Sequence, residues 1–114
     1  MNIDLLRTFC LSLKGSTEDV KWENDLVFSV GGKMYCVAAL NPPFSCSFKV
    51  KDEEFEELCQ AEGFRPAPYL ARAKWVLVEK ADQLHKKEWE ERLRQSYQLV
   101  LGKLSKKERL SLGL

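Results

Sequence analysis

The first apolar pattern in the chain has the spacing of an amphipathic helix. Its members are Ile3, Leu6, Phe9, Cys10 and Leu13. Asn2 precedes them as a suitable N-cap, and Gly15 follows them as a suitable C-terminal stop. The pattern predicts one N-terminal helix with a single buried stripe.

From Leu26 onwards the apolar pattern changes to a period of two, which is typical of strands. Leu26, Phe28 and Val30 point one way, and the pair Gly31-Gly32 allows a tight turn into a return strand, 33–40. On the return strand we expect Met34, Cys36, Ala38 and Leu40 to face inward and Lys33, Tyr35, Val37 and Ala39 to face outward. A third strand follows, with Phe44, Cys46, Phe48 and Val50 inward and Ser45, Ser47, Lys49 and Lys51 on a more exposed outer side.

In the second half of the chain, the pattern of apolar and capping residues predicts three helices and one strand. Asp52 caps a helix whose buried side is Phe55, Leu58 and Cys59, and Gly63 ends it. A strand covers 74–79, a long helix carries the stripe Trp89, Leu93, Tyr97, Val100 and Leu104, and a capping box at 105–108 starts a short last helix. The predicted order is α-β-β-β-α-β-α-α. It indicates a two-layer α+β domain spanning 1–114, with an antiparallel sheet and its helices on one face.

Length and composition favour a single ordered domain. The chain has 114 residues, of which 45% are hydrophobic and 31% charged. No apolar run approaches the roughly 18 residues that span a bilayer, and the N-terminus has no signal-peptide pattern. We therefore expect a cytoplasmic protein without membrane contact, either a monomer or a weak homodimer.

The sequence offers little for catalysis or metal binding. The cysteines, Cys10, Cys36, Cys46 and Cys59, form no CxxC pair, and His85 is the one histidine. We expect reduced core cysteines, no cofactor and no metal. Phosphate-binding loops, nucleophile elbows and zinc-protease motifs are absent, so we expect no enzymatic activity.

Cations are unevenly distributed although the net charge is only +1. The range 26–51 has three lysines and no acid, and the range 63–78 has three cations and no acid. Such surfaces could contact phosphates, or could simply be solvated. The candidate nucleic-acid-binding residues are Lys33, Lys49, Lys51, Arg65, Arg72, Lys74, Lys106 and Lys107.

The acid-free segment 63–78, "GFRPAPYLARAKWVLV", also contains large apolar side chains. We expect Tyr69, Leu70 and Trp75 to pack, because burial of a large aromatic side chain stabilises a fold by several kcal/mol. Pro66 and Pro68 stiffen the approach to the strand.

Several stretches of the sequence resemble the MmcQ/YjbR family of small bacterial proteins. They are "VFSVGGKMYCV", "PAPYLARAKWV" and "SYQLVLGKLSKKER", and the likeness extends over almost the whole chain. The resemblance implies a frataxin-like or secretion-chaperone-like α+β fold and no known enzymatic activity. It also implies DNA binding in which β-hairpins act as wings. We therefore expect a non-catalytic protein that binds double-stranded DNA. The alternative is a protein-interaction adaptor or chaperone-like module that does not bind nucleic acid.

Overall fold

Six antiparallel strands form one open sheet in the order β1-β2-β3-β4-β6-β5. The computed structural model describes residues 1–114. The strands are β1 (Ser16–Lys21), β2 (Asp25–Val30), β3 (Lys33–Ala39), β4 (Cys46–Lys49), β5 (Phe64–Pro66) and β6 (Trp75–Val78).

Four helices pack on one face of this sheet, as the sequence predicts. They are α1 (Ile3–Ser12), α2 (Asp52–Gln60), α3 (Lys86–Leu101) and α4 (Lys106–Ser111), and short 3-10 turns lie at Ala71–Ala73 and Ala81–Gln83. The α+β class with an antiparallel sheet is confirmed. No helix is long and apolar enough to cross a bilayer.

The sequence pattern missed two strands, and both lie at an edge of the sheet. The first, β1, has a single aliphatic residue, Val20, and its middle positions are exposed, so it shows no alternation of apolar and polar positions. The second, β5, is three residues long and ends at Pro66. Edge strands bury little surface and therefore leave a weak hydrophobic signal.

The core lies between the sheet and the helices. Phe28, Cys36, Phe48 and Val76 occupy matching positions on neighbouring strands, and all four are fully buried. Trp89 of α3 meets the rings of Phe44 and Phe48 edge to face, with ring centroids 5.8 and 6.1 Å apart. The predicted stripe of the long helix faces this core, as do Cys10 and Cys46, and all four cysteines are free thiols.

Because of a β-bulge in β3, two side chains face the side of the sheet opposite to the one predicted. Phe28 pairs with Cys36, but the next residue, Ser29, pairs with Met34, so Tyr35 is an extra residue in the ladder. Tyr35 was expected on the outer side, yet it is fully buried on the helix side of the sheet. Met34 was expected inward, yet it lines a cavity on the outer face.

The hydrogen bonds and the ring contact of the buried Tyr35 stabilise the bulge. The Tyr35 hydroxyl lies 2.6 Å from the Ser16 hydroxyl and donates to the carbonyl of Cys10 at 3.2 Å. Its ring meets that of Tyr97 edge to face at 5.5 Å. Burial raises the pKa of the Tyr35 phenol far above its ordinary value. The phenol therefore stays protonated and links α1, β1 and β3.

Candidate functional site

The outer face of the sheet, opposite the helices, is only partly exposed. Trp75 and Lys49 are cross-strand partners on this face, and Trp75 is only 4% exposed. The segment 67–74 precedes Trp75 and is joined to it by a hydrogen bond from the Ala67 amide to the Trp75 carbonyl. Ser47 was expected on an exposed side but is 9% exposed. The alternation of Ser and Lys in the third predicted strand thus does not mark a fully solvated face.

An apolar cavity of about 600 Å³ opens on this outer face. Its floor is the sheet, and its walls come from the turn between β1 and β2 and from the loop after β5. Asp25 is the single charged residue among those that line it. The lining comprises Trp22, Asp25, Met34, Val37, Ala39, Ser45, Ser47, Ala67, Pro68, Tyr69, Leu70 and Leu77.

Two aromatic residues at this cavity combine exposure with an unusual backbone conformation. Trp22 has φ 51° and is 64% exposed, and Tyr69 has φ 66° and is 104% exposed. Bulky residues rarely adopt positive φ, because Cβ then approaches the backbone. The expectation that Tyr69 packs is wrong, since its side chain is fully exposed. The expectation that Trp75 packs is confirmed.

Three lysines from different elements gather at one end of the sheet. Lys49 ends β4, Lys74 precedes β6, and Lys103 follows α3. We call Lys49, Lys74 and Lys103 the lysine cluster. Burial lowers the pKa of Lys49 most, the ammonium groups of Lys103 and Lys74 lower it further, and Asp52 opposes them.

Local contacts hold two members of the lysine cluster, Lys49 and Lys74, in place. The Lys49 ammonium donates to the carbonyl of Ala73, and the Lys74 ammonium lies 5.0 Å from the centre of the Phe55 ring. Lys74 itself has φ 63° as it ends the 3-10 turn at Ala71–Ala73. Because of these contacts, the side chains cannot easily move apart to reduce the repulsion between their charges.

The start of α4 brings further predicted cations to the same end of the sheet. The side chain of Leu104 packs directly over Gly31 in the β2–β3 turn, leaving no room there for a Cβ atom. Hydrogen bonds from Ser105 lower the pKa of Glu108, and the charge of Lys33 lowers it further. Lys33 therefore lies near the first turn of α4, which also carries the exposed Lys106 and Lys107.

The remaining predicted cations are more dispersed. Arg65 lies on the edge strand β5, and its guanidinium forms an ion pair with Glu79 at 2.9 Å. Arg72 is exposed in the 3-10 turn. Lys51 is the exposed N-cap residue of α2, whereas Asp52, predicted as the cap, is the first residue of the helix. Of the eight predicted residues, the structure brings Lys49 and Lys74 together directly and places Lys33, Lys106 and Lys107 at the neighbouring corner.

Sequence reasoning missed Lys103, Trp22 and Asp25. Lys103 belongs to no periodic pattern and enters the cluster because α3 returns to the end of β4. A signal for Trp22 was present, since "EDVKWEND" places a tryptophan in a stretch made mostly of charged residues.

The described residues form no cluster of metal ligands. No group of three or more His, Cys, Asp and Glu side chains is arranged to hold a metal ion. His85 is exposed and is the N-cap residue of α3, where its amide donates to the Glu88 carboxylate at 2.9 Å. The position of His85 is thus explained by its role at the start of α3.

Comparison with known proteins identifies the family. The model of the YjbR family matches residues 11–99. The crystal structure of Deinococcus radiodurans protein DR2400, which has a DUF419 domain, is similar at 35% identity and a TM-score of 0.89, covering 99% of this chain and 88% of that one. A Pseudomonas syringae protein from the Northeast Structural Genomics Consortium shares the fold at 21% identity and a TM-score of 0.72, covering 88% of this chain and 99% of that one. No curated protein sequence matches significantly. The chain belongs to the YjbR family, because the family model matches most of it and the DR2400 relative is 35% identical over nearly its whole length.

Proposed function

We propose that this protein is a non-catalytic binding protein that contacts the phosphates of duplex DNA through the basic end of its sheet. The observation that carries the proposal is the lysine cluster. Three like charges from separate elements repel one another. Burial lowers the pKa of Lys49 most, and the charges of Lys103 and Lys74 lower it further. A bound phosphate would replace repulsion with attraction.

The surrounding surface supports an extended contact. The β2–β3 hairpin presents Lys33 beside α4, whose first turn presents Lys106 and Lys107. Together with the lysine cluster they place cations at the hairpin end of the sheet. A hairpin flanked by cations is consistent with the wing-like role that the family resemblance implies.

The small net charge limits how this binding would work. At +1 the chain has little long-range attraction for a polyanion, so affinity must come from a few close phosphate contacts. The cytoplasmic location belongs to the same proposal, because four free cysteines suit a reducing compartment.

A titration against random-sequence duplex DNA at several salt concentrations tests the proposal. Each phosphate contact contributes about 0.9 to the slope of log affinity against log salt. Lys49→Ala, Lys74→Ala and Lys103→Ala should each weaken binding to all sequences alike and should lower that slope by about one unit.

Lys80→Ala is the matched control, because Lys80 is exposed and follows β6 at the opposite end of the sheet. It removes the same charge without touching the cluster. If the Lys80 and Lys103 variants lose affinity equally, the attraction is general and the cluster is not a DNA site. If the parent does not bind at low salt, DNA is not its partner.

A protein-interaction module is the second candidate, and exposed apolar side chains favour it. Val20, Trp22 and Leu40 are all exposed around the β1–β2 turn, where the Leu40 amide donates to the Asn24 carbonyl. Grouped apolar exposure of this kind marks protein contacts. Binding of such a partner would change little with salt, which separates it from phosphate binding in the same titration series.

A further inference from the structure

The cavity on the outer face has the size and lining of a small-molecule site. Its volume of about 600 Å³ lies within the range of roughly 300 to 1,000 Å³ that is usual for ligand pockets. Most of its lining is apolar, including Val37, Leu70 and Leu77, and the side chain of Met34 is flexible enough to adapt to a ligand. It is separate from the lysine cluster and involves none of the cations proposed to meet DNA.

The charge of the lining restricts the class of ligand. Asp25 is the single charged residue among the lining residues. Lys21 is its cross-strand partner in β1, yet the ion pairs of the structure do not include Asp25. A carboxylate at an apolar cavity disfavours anions and attracts a cation.

The aromatic residues point to the same class. Trp22 and Tyr69 follow β1 and β5, the two edge strands of the sheet, and both residues are exposed and line the cavity. Their positive φ angles of 51° and 66° are costly for bulky residues, and neither ring gains burial in return. Aromatic faces with a nearby carboxylate are the groups that recognise organic ammonium ions.

We propose that this cavity binds a small organic cation, in which an ammonium group is carried on an apolar body. The apolar body packs on the floor formed by Val37, Ala39 and Leu77. The ammonium group lies between the rings of Trp22 and Tyr69, close to the Asp25 carboxylate.

Three probes of similar size and different charge test this assignment by calorimetry. They are benzyltrimethylammonium, benzyl alcohol and phenylacetate. We expect the cation to bind about tenfold more tightly than the other two. Amide chemical shifts in β3 and β6 should change during the titration. Equal affinity for the three probes, shift changes confined to other parts of the sheet, or no binding at millimolar concentration would overturn the proposal.

Two variants with a charge-matched control locate the site. Asp25→Asn keeps the shape of the side chain and should reduce affinity for the cation about tenfold, with little effect on benzyl alcohol. Glu23→Gln removes the same charge from the neighbouring turn without changing the lining, and should have a much smaller effect.

Trp22→Gly removes the ring, suits the φ of 51°, and should also abolish the preference for the cation. Unchanged binding to the Asn variant, or equal losses in the Asn and Gln variants, would contradict the assignment.

Discussion

The hydroxyl of Ser96 donates a hydrogen bond to the carbonyl of Tyr35 at 2.6 Å, and so joins α3 to the sheet. The same oxygen accepts a hydrogen bond from the amide of Lys49 at 2.9 Å. The β3–β4 ladder ends at the pair Cys36 and Phe48, so the next pair would be Tyr35 and Lys49. Ser96 thus bridges two backbone groups that the bulge leaves apart, and it fixes the backbone of one member of the lysine cluster.

Ser96→Ala should therefore destabilise the fold by about 1 to 3 kcal/mol, because the Tyr35 carbonyl and the Lys49 amide lose their shared partner. The measurement is the free energy of unfolding from urea titration. Ser111→Ala is the control, since Ser111 is exposed on α4 and bonds only within its own helix. Equal stability of the two variants would show that the bridge contributes nothing.

The turn between β2 and β3 provides a matched pair of glycines. Gly31 and Gly32 have φ of 59° and 77°, so alanine is strained at both positions. A Cβ atom at Gly31 would lie 2.7 Å from Leu104, whereas a Cβ atom at Gly32 would meet nothing within 4 Å. Gly31→Ala should cost about 1 to 3 kcal/mol more than Gly32→Ala.

Thermal or urea unfolding of both glycine variants measures this difference. Adding Leu104→Ala to Gly31→Ala should recover part of the extra loss, because it removes the clashing side chain. If the two glycine variants are equally unstable, the packing of Leu104 on the turn is not what requires glycine at position 31.

Two aromatic residues of the segment 67–75 should differ sharply in their effect on stability. Trp75 is almost fully buried, so Trp75→Ala should cost about 3 to 5 kcal/mol. Tyr69 is fully exposed, so Tyr69→Ala should change stability by less than about 0.5 kcal/mol. Denaturant titration compares them, and a large loss for Tyr69→Ala would mean that its ring packs in solution.

The contact between α2 and α3 should depend on pH. Burial raises the pKa of Glu54, but hydrogen bonds from Arg92 and Gln95 and the charge of Arg92 outweigh it, so the pKa is lowered overall. The Arg92 guanidinium lies 2.9 Å from the carboxylate. A lowered pKa means that the stabilising contribution is complete above the unfolded-state value of about 4.3 and is lost as pH falls through the folded-state pKa.

Glu54→Gln should be less stable than the parent above about pH 4.3. The difference in the free energy of unfolding between the two should become smaller as the pH falls below this value. Urea unfolding across that range measures the gap. Glu57→Gln is the control, because Glu57 is exposed on the same helix and has no ion pair. A gap that stays constant with pH would show that the Arg92 contact does not favour the charged carboxylate.

The elements that bury a regular apolar stripe were predictable from the residue pattern alone. Leu93 and Tyr97 on α3, and Phe28 and Phe48 on the sheet, recur at the period of their element, so local pattern was enough to assign both structure and the buried side. The hairpin at Gly31 was also readable, because consecutive glycines permit positive φ.

The features that break a local rule arise only when the elements pack together. Tyr35 faces the core because a bulge shifts the register, and the sequence alternation carries no mark of that shift. Lys103 meets Lys49 and Lys74 only when α3 returns along the sheet. The cavity between Trp22 and Tyr69 is formed by two turns far apart in the chain. A periodic pattern reports which side of one element is buried, whereas a site made by several elements exists only once they pack together. For this physical reason most of the fold was predictable, while the lysine cluster was predicted only in part and the cavity was not predicted.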